Sequence, residues 1–515
     1  MLLQQLLSST KIVSVSGALD APSTLDIKEL CFDSRKTTTG SLFFALPGAH
    51  EKGIHFVEEA IKGGAVAVVS EEELKIDSQI SKQASNRLLE IPLIRVPNAR
   101  RAMAEMAAAF YHFPSQTLAV CGVTGTNGKT TTNYLIRHLC DVSGRACGLI
   151  GTVEYVLPGR VEEAPRTTPE SIDIQAMLEE MKNGGFKAVS MEVSSHAIVQ
   201  ERAREVEFDV AIFTNLTQDH LDYHGSMEAY FDAKAVLFES LPHQKTKRGR
   251  AVVNGDDRYG RLLLERLERL PVKVPIITFG QSSGVDFRAS DIQYSSTGTT
   301  FCLEARKRSY LVRSPLVGLF NVYNVLGALA SATSMGLELR RAIKALETAP
   351  QVPGRLQRVD GKKNFQVFVD YAHTPDALEN ALRSLRQLQP GRLVVVFGCG
   401  GDRDRTKRPL MAAAAERYAD EVIVTTDNPR GEDPLSIIKE VVQGFRQQKY
   451  SCIGDRREAI SRAIEQALPY DIIVIAGKGH ETYQEIAEVR TPFDDVHIAE
   501  RAMLATQRPA FEDRR

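Results

Sequence analysis

The run Gly125-Thr126-Asn127-Gly128-Lys129-Thr130-Thr131 has the residue types needed to hold a polyphosphate. Glycines let backbone N–H groups approach phosphate oxygens. A helix that starts directly after them adds the partial positive charge of its N-terminus. Lys129 can reach the outer phosphates, and the Thr130 hydroxyl can supply an oxygen to Mg2+. The spacing departs from the common phosphate loop, because Val123 stands where the first glycine of G-x-x-x-x-G-K-T would be. An ordinary Gly/Asn turn is the competing reading; the strand before the loop and the helix after it favour the phosphate loop.

Other residues of chemical interest follow apolar runs. Glu192 closes one, ahead of Ser194 and His196. A carboxylate at the end of a strand suits Mg2+, which prefers oxygen ligands; a salt-bridged surface glutamate is the alternative. Asp219-His220-Leu221-Asp222-Tyr223-His224 follows another. It reads as a polar loop or a site, and no cysteines or further ligands accompany it to make zinc. Lys234 lies in a helical stretch, where an exposed lysine is the default. Near the carboxyl end of the chain, three loops follow strand-like runs. They carry Arg403 and Asp404, then Asp427-Asn428-Pro429-Arg430, then Gly477-Lys478-Gly479-His480-Glu481. Mixed charge at one rim suits a zwitterion, and an arginine can bind a carboxylate through two parallel bonds. A solvated rim with internal ion pairs is the alternative.

These loops need elements to position them. Residues 41–46 and 65–69 read as strands with a helix over 53–62 between them, a small α/β domain. Residues 117–123, 188–193 and 210–215 read as buried strands separated by helical patches, which predicts a parallel sheet. The alternation is clearest after Val352-Pro353-Gly354. Strands over 366–370, 392–397, 421–425 and 471–476 interleave with helices over 375–388, 408–418, 434–447 and 456–468, the pattern of a doubly wound domain. The expected class is α/β with three domains. Residues 1–106 form a small amino-terminal domain, 107–350 a central phosphate-loop domain and 351–515 a Rossmann-like domain.

Composition agrees with this and narrows the partners. The chain has 515 residues, 43% hydrophobic and 25% charged, enough for about three globular domains. Lys and Arg number 64 against 65 Asp and Glu, so no global basic field favours nucleic acid. No apolar run is long enough to span a bilayer, and Met1 to Thr10 lacks a basic n-region. Seven cysteines without a C-x-x-C pair fit a reduced, cytoplasmic protein.

Taken together and in order, these motifs resemble the Mur ligases, ATP-dependent amide-forming enzymes of peptidoglycan synthesis. The resemblance covers almost the whole chain. It rests on Asp33-Ser34-Arg35, Gly48-Ala49-His50-Glu51, the loop 125–131, Met191 to His196, Thr214-Asn215-Leu216 with the Asp219 loop, and Phe320-Asn321-Val322-Tyr323-Asn324. The last normally begins with histidine, here Phe320. The resemblance implies that Gly125 to Thr131, Asn321, Asn324 and Arg355 meet ATP. It implies that Phe32, Ser34, Ala49, His50, Glu51, Arg166, Thr167, Thr168, Ser194, Gln200 and Arg202 meet a UDP-sugar-peptide. Arg166 stands where an asparagine commonly precedes the threonine pair.

The resemblance makes Lys129, Glu192, His220 and Lys234 catalytic. Lys234, as a carbamylated N6-carboxylysine, would join Thr130, Glu192 and His220 around Mg2+. Within the family, Asp427-Asn428-Pro429-Arg430 looks like the motif of members that add meso-2,6-diaminopimelate to UDP-N-acetylmuramoyl-L-alanyl-D-glutamate. Arg403, Asp427, Asn428, Pro429, Arg430, Gly477 and Glu481 would then meet diaminopimelate. The expected enzyme is a monomer of cell-wall synthesis, linked thereby to cell shape and division. The alternatives are a lysine-adding member, a folylpolyglutamate synthetase-like enzyme, and a nucleotide-binding protein without catalysis.

Overall fold

The computed structural model describes residues 1–17, 24–48, 51–73, 91–361 and 363–505. Ala49 and His50 lie outside them. The chain forms two compact units: residues 1–122, 145–211 and 233–250 make the first, and 123–144, 212–232 and 251–515 the second. None of the described helices is long and apolar enough to cross a membrane.

The first unit holds a five-stranded sheet in the order Ser14–Ser16, Leu93–Arg95, Ala65–Ser70, Ser41–Ala45, Glu29–Cys31. The first pair is antiparallel and the others are parallel. Strand Ser41–Ala45 shows why it forms. Successive side chains point to opposite faces, and both faces are covered. Leu42 and Phe44 join one apolar cluster with Leu3, Leu6 and Met103. Phe43 and Ala45 join another with Val57 and Ile61. The stretch over 53–62 is a 3-10 turn, Gly53–Phe56, running into helix Val57–Gly63.

An eleven-stranded sheet has the order Arg308–Ser314, Gly298–Ala305, Phe287–Ser295, Ile276–Gly280, Arg250–Asn254, Val210–Phe213, Ala119–Thr124, Ala188–Glu192, Cys147–Ile150, Glu154–Leu157, Arg160–Glu163. The expected parallel sheet forms its middle, where Ala188–Glu192 pairs parallel with Cys147–Ile150 and Arg250–Asn254 with Ile276–Gly280. Both ends of this sheet are antiparallel, through hairpins at 287–314 and 147–163. Phe287–Ser295 alternates more and less buried residues, the pattern of a sheet end with one wet face, whereas in the other hairpin Cys147–Ile150 is buried throughout and Arg160–Glu163 exposed throughout.

The third sheet, in the second unit, has the order Gln357–Arg358, Gln366–Asp370, Ile472–Ala476, Leu393–Phe397, Glu421–Val424, Tyr450–Cys452. All but the first pair are parallel. Its central strands are apolar on both sides. Phe368, Val395 and Val474 face one cluster, while Val369, Val394 and Ile473 face the other. Helices therefore cover both faces, as the doubly wound pattern predicts. Helix Pro434–Val442 ends short of the predicted 447. Gly444 touches the chain there, since a Cβ on it would lie 1.9 Å from the Pro409 carbonyl oxygen.

Candidate active site

Strand Ala119–Thr124 delivers the chain to the turn 125–128, and helix Lys129–Val142 follows at once. Gly125 and Gly128 have φ of +145° and +84°. A Cβ would sit 1.9 Å from Thr214 Oγ1 at the first and 2.3 Å from Asn324 Oδ1 at the second. Only glycine fits either position. Gly128 is also the N-cap, so no side chain caps the helix, and a helix N-terminus of this kind suits an anion. The Lys129 ammonium curls over the loop and donates to the carbonyls of Gly125 at 3.0 Å and Thr126 at 2.8 Å.

The other expected nucleotide residues converge on this loop. Asn321 and Asn324 stand three apart on helix Leu319–Ser334, which puts them on one face. The Asn324 amide donates to Asn321 Oδ1 at 2.9 Å, and Thr132 donates to Asn324 Oδ1 at 3.4 Å. Arg355 donates to Thr130 Oγ1 at 3.2 Å. Asn127 donates to Asp376 Oδ2 at 2.9 Å. His220 caps a short helix with φ of +54°. Its half-exposed ring lies 3.3 Å from Asp219 Oδ2.

In the first unit, Glu192 ends strand Ala188–Glu192 and is 0% exposed. Its carboxylate accepts from the Thr152 N–H and hydroxyl, both at 2.9 Å. Thr152 in turn lies 3.1 Å from the Thr167 hydroxyl. Thr168 donates to the Glu192 carbonyl at 2.9 Å and accepts from the Ser194 N–H at 3.1 Å. Arg202 donates to the Thr168 carbonyl at 2.9 Å and to Gln200 Oε1 at 2.6 Å.

Thr152 and Glu170 escaped the sequence reading. Buried Glu170 gathers Arg100, Arg166 and Arg202 at 3.0, 2.7 and 3.1 Å. The available signal was a glutamate directly after Thr167-Thr168-Pro169. Ser34, buried, donates to Glu59 Oε2 at 2.5 Å. Phe32 packs partly buried against the amino-terminal core, and Glu51 is exposed. Lys234, on helix Met227–Glu239, is 1% exposed. It is not the surface lysine that helical position alone predicts.

At the third sheet, the loops after strands Gln366–Asp370, Leu393–Phe397, Glu421–Val424 and Ile472–Ala476 share the carboxyl edge, where such sheets bind ligands. Asn428 donates to Glu481 Oε2 at 2.8 Å and accepts from the buried Lys478 ammonium at 2.9 Å. Arg430, at φ +49°, donates to the Gly401 carbonyl at 2.8 Å. Pro429 is buried between them. Arg403 is exposed and donates to its neighbour's carbonyl, Asp402 O, at 3.2 Å. Gly477 has φ of +117°, and a Cβ there would lie 2.4 Å from Asp427 Oδ2.

A run of ring contacts joins this rim to Arg355. The Arg355 guanidinium lies 4.6 Å from the Tyr371 ring centre. Tyr371 lies 5.0 Å from the His480 ring and 3.5 Å from Glu481 Oε1 through its hydroxyl. Burial pushes the Asp370 carboxyl up to about 6, against two backbone N–H bonds from Leu356 and Ala372. Burial, then the positive charges of Arg355, His373 and Lys478, push His480 down to about 3. The rim therefore presents neutral His480 among fixed cations and carboxylates.

Three family models match the chain. The Mur ligase family, catalytic domain, matches residues 26–111; the Mur ligase middle domain matches 123–332; and the Mur ligase, glutamate ligase domain, matches 354–479. A protein of Thermosynechococcus vestitus named UDP-N-acetylmuramoyl-L-alanyl-D-glutamate--2,6-diaminopimelate ligase is 45% identical over 93% of this chain and 93% of its own. The ligase of the same name from Geobacillus thermodenitrificans is 45% identical over 93% and 95%. A solved structure of a ligase of that name is similar with a TM-score of 0.69 and 36% identity, covering 98% of this chain and 99% of its own.

Proposed function

The chain belongs to the Mur ligase family, and from that premise we infer its reaction. It is an ATP-dependent ligase that joins meso-2,6-diaminopimelate to the D-glutamate γ-carboxylate of UDP-N-acetylmuramoyl-L-alanyl-D-glutamate, a step of peptidoglycan precursor synthesis. The observation that carries this reading is the meeting of Asn428, Lys478 and Glu481 within 3.3 Å of one another, beside Arg430. Diaminopimelate is a lysine-like chain with a second ammonium and carboxylate at its far end. A zwitterionic end needs one acceptor and one cationic fork, and the rim supplies Glu481 and Arg430, with Arg403 at hand.

In the mechanism, the γ-carboxylate attacks the γ-phosphorus of ATP to give an acyl phosphate and ADP. The diaminopimelate amine then attacks the acyl carbon. The tetrahedral intermediate collapses to amide and phosphate. The first step brings a carboxylate against a polyanion, so neutralising charge is the main catalytic task. Lys129 and the N-terminus of its helix, which no side chain caps, serve the phosphates. Asn321, Asn324 and Arg355 serve the nucleotide. Phe32, Ser34, Ala49, His50, Glu51, Arg166, Thr167, Thr168, Ser194, Gln200 and Arg202 serve the UDP-sugar-peptide.

Thr130 and Glu192 offer oxygen donors of the kind Mg2+ prefers, with His220 beside them in role. Lys234 as N6-carboxylysine would add two more oxygens, where an ammonium would repel the metal. Mg2+ bound by donors of this kind would screen the transferring phosphoryl group. The acyl phosphate needs shelter from water. Soluble nucleotide substrates suit a cytoplasmic monomer.

The test is phosphate release from ATP and Mg2+ with UDP-N-acetylmuramoyl-L-alanyl-D-glutamate, comparing meso-diaminopimelate with L-lysine. Turnover with diaminopimelate and a product of the joined mass is expected. Preference for lysine overturns the specificity. Silence with both, from folded protein that binds ATP, overturns the reaction.

A further inference from the structure

Arg408 is the second residue of helix Lys407–Tyr418, which follows the Arg403 loop, and it is 0% exposed. Its guanidinium donates to both oxygens of Glu432, at 2.8 and 3.1 Å, to Glu440 Oε2 at 2.7 Å and to the Gly400 carbonyl at 3.3 Å. A buried arginine is held where it is only by such a set of partners. Two of the four bonds go to Glu432, which stands two residues after Arg430.

Glu432 reaches across to the other loop. Its carboxylate accepts the Asp402 N–H at 2.6 Å. Asp402 answers by accepting the Gly431 N–H at 2.9 Å. Further ties run the same way, Gly401 N–H to the Asn428 carbonyl at 2.9 Å and Arg430 to the Gly401 carbonyl at 2.8 Å. The approach is close: a Cβ on Gly401 would lie 1.9 Å from the Pro429 carbonyl oxygen. Asp402 and Arg430 both adopt positive φ, +52° and +49°. Non-glycine residues keep that conformation only where their surroundings over-determine it.

We propose that the pair of buried Arg408 and partly buried Glu432 is a positioning device for amino-acid selection, fixing the Asp402 and Arg430 loops against each other so that Arg430 is aimed before the substrate arrives. Neither residue touches the substrate. The pair acts through backbone geometry, and preorganised charge recognises a carboxylate better than charge that must be ordered on binding. The proposal rests on the diaminopimelate reading of this rim and adds what holds it in shape.

The test uses full-length Glu432→Gln and Arg408→Lys. Glutamine keeps an acceptor for the Asp402 N–H but loses the charge that holds Arg408; lysine keeps the charge but loses the two-pronged bond. Each is expected to raise KM for meso-diaminopimelate about tenfold, with KM for ATP and for the UDP-linked substrate within about twofold. A merely structural role would move all three KM values together or none. Asp402→Asn, on the exposed side of the same tie, gives the readout if a buried variant does not fold, with a smaller rise in the same KM. Unmoved diaminopimelate KM in the folded variants, or equal shifts in all three, overturns the proposal. Wild-type turnover with diaminopimelate is read first. Its absence sinks the functional reading, whereas an active wild type with unmoved variants sinks only the positioning role.

Discussion

Lys129 is bonded to its own loop, through the carbonyls of Gly125 and Thr126. Those carbonyls hold the ammonium above the helix N-terminus, where outer phosphates would exchange for them. Lys129→Met keeps the stem and removes the charge. Phosphate release should fall by about a hundredfold or more, the scale of losing one charge-stabilising donor. Near-normal turnover would refute the phosphate-loop role. Arg430 gives a sharper test of selection. Arg430→Lys replaces a fork by a point charge. The kcat/KM for diaminopimelate should drop by about 10- to 100-fold, while any trace activity with L-lysine stays level. Equal losses with both amino acids would show that Arg430 does not read the second carboxylate.

At the scale of elements, the ends of two strands hang on one buried ion pair. Arg456, on helix Arg456–Glu465, binds both oxygens of Asp495 at 2.9 and 2.7 Å, with both side chains fully buried. The same guanidinium donates to the carbonyls of Thr426 and Ala476, the residues just before Asp427 and Gly477. Asp495→Asn leaves that guanidinium without its counter-charge, a cost of about 3–5 kcal/mol. The unfolding midpoint should fall markedly, and an unchanged midpoint would mean that the carbonyls suffice.

The pair was invisible in the sequence, because its partners lie 39 residues apart with no motif around either. The strand Gln366–Asp370 was legible to the residue, since apolar residues run unbroken between polar turns. The hairpin of strands Tyr483–Ile486 and Val489–Pro492 was not. Its second strand is wholly exposed, so no hydrophobic pattern marks it. Yet Arg430 bonds it through its backbone, to the Glu485 carbonyl and the Ala487 N–H. Local chemistry, such as the glycines of the phosphate loop, was readable because it depends on neighbours in sequence. Glu170 and Glu432 were not readable, because each owes its role to arginines brought in by the fold.

For the whole molecule, the third-sheet rim is a place where acid should be felt in stability. His480 is held neutral: burial comes first, and Arg355, His373 and Lys478 add positive charge around it, so its folded value is pushed from 6.5 down to about 3. Above pH 6.5 both folded and unfolded chains leave it neutral, and its contribution is complete. Below that the unfolded chain takes up a proton that the folded chain refuses, so stability is lost as pH falls toward the folded value. Asp370 works the other way between about 4 and 6, because burial raises it from 3.8 to about 6. The difference between wild type and His480→Gln removes the contribution of Asp370, whose shift comes from burial, backbone N–H bonds and Arg355 and not from His480. Glutamine does not titrate. From pH 7 to pH 5 the wild type should therefore lose about 2 kcal/mol more than the variant, at 1.4 kcal/mol for each pH unit below 6.5. Urea midpoints at the two pH values measure it. Parallel losses would mean that the imidazole takes its proton inside the fold, and that the cation-rich rim opens to water before the rest of the chain unfolds.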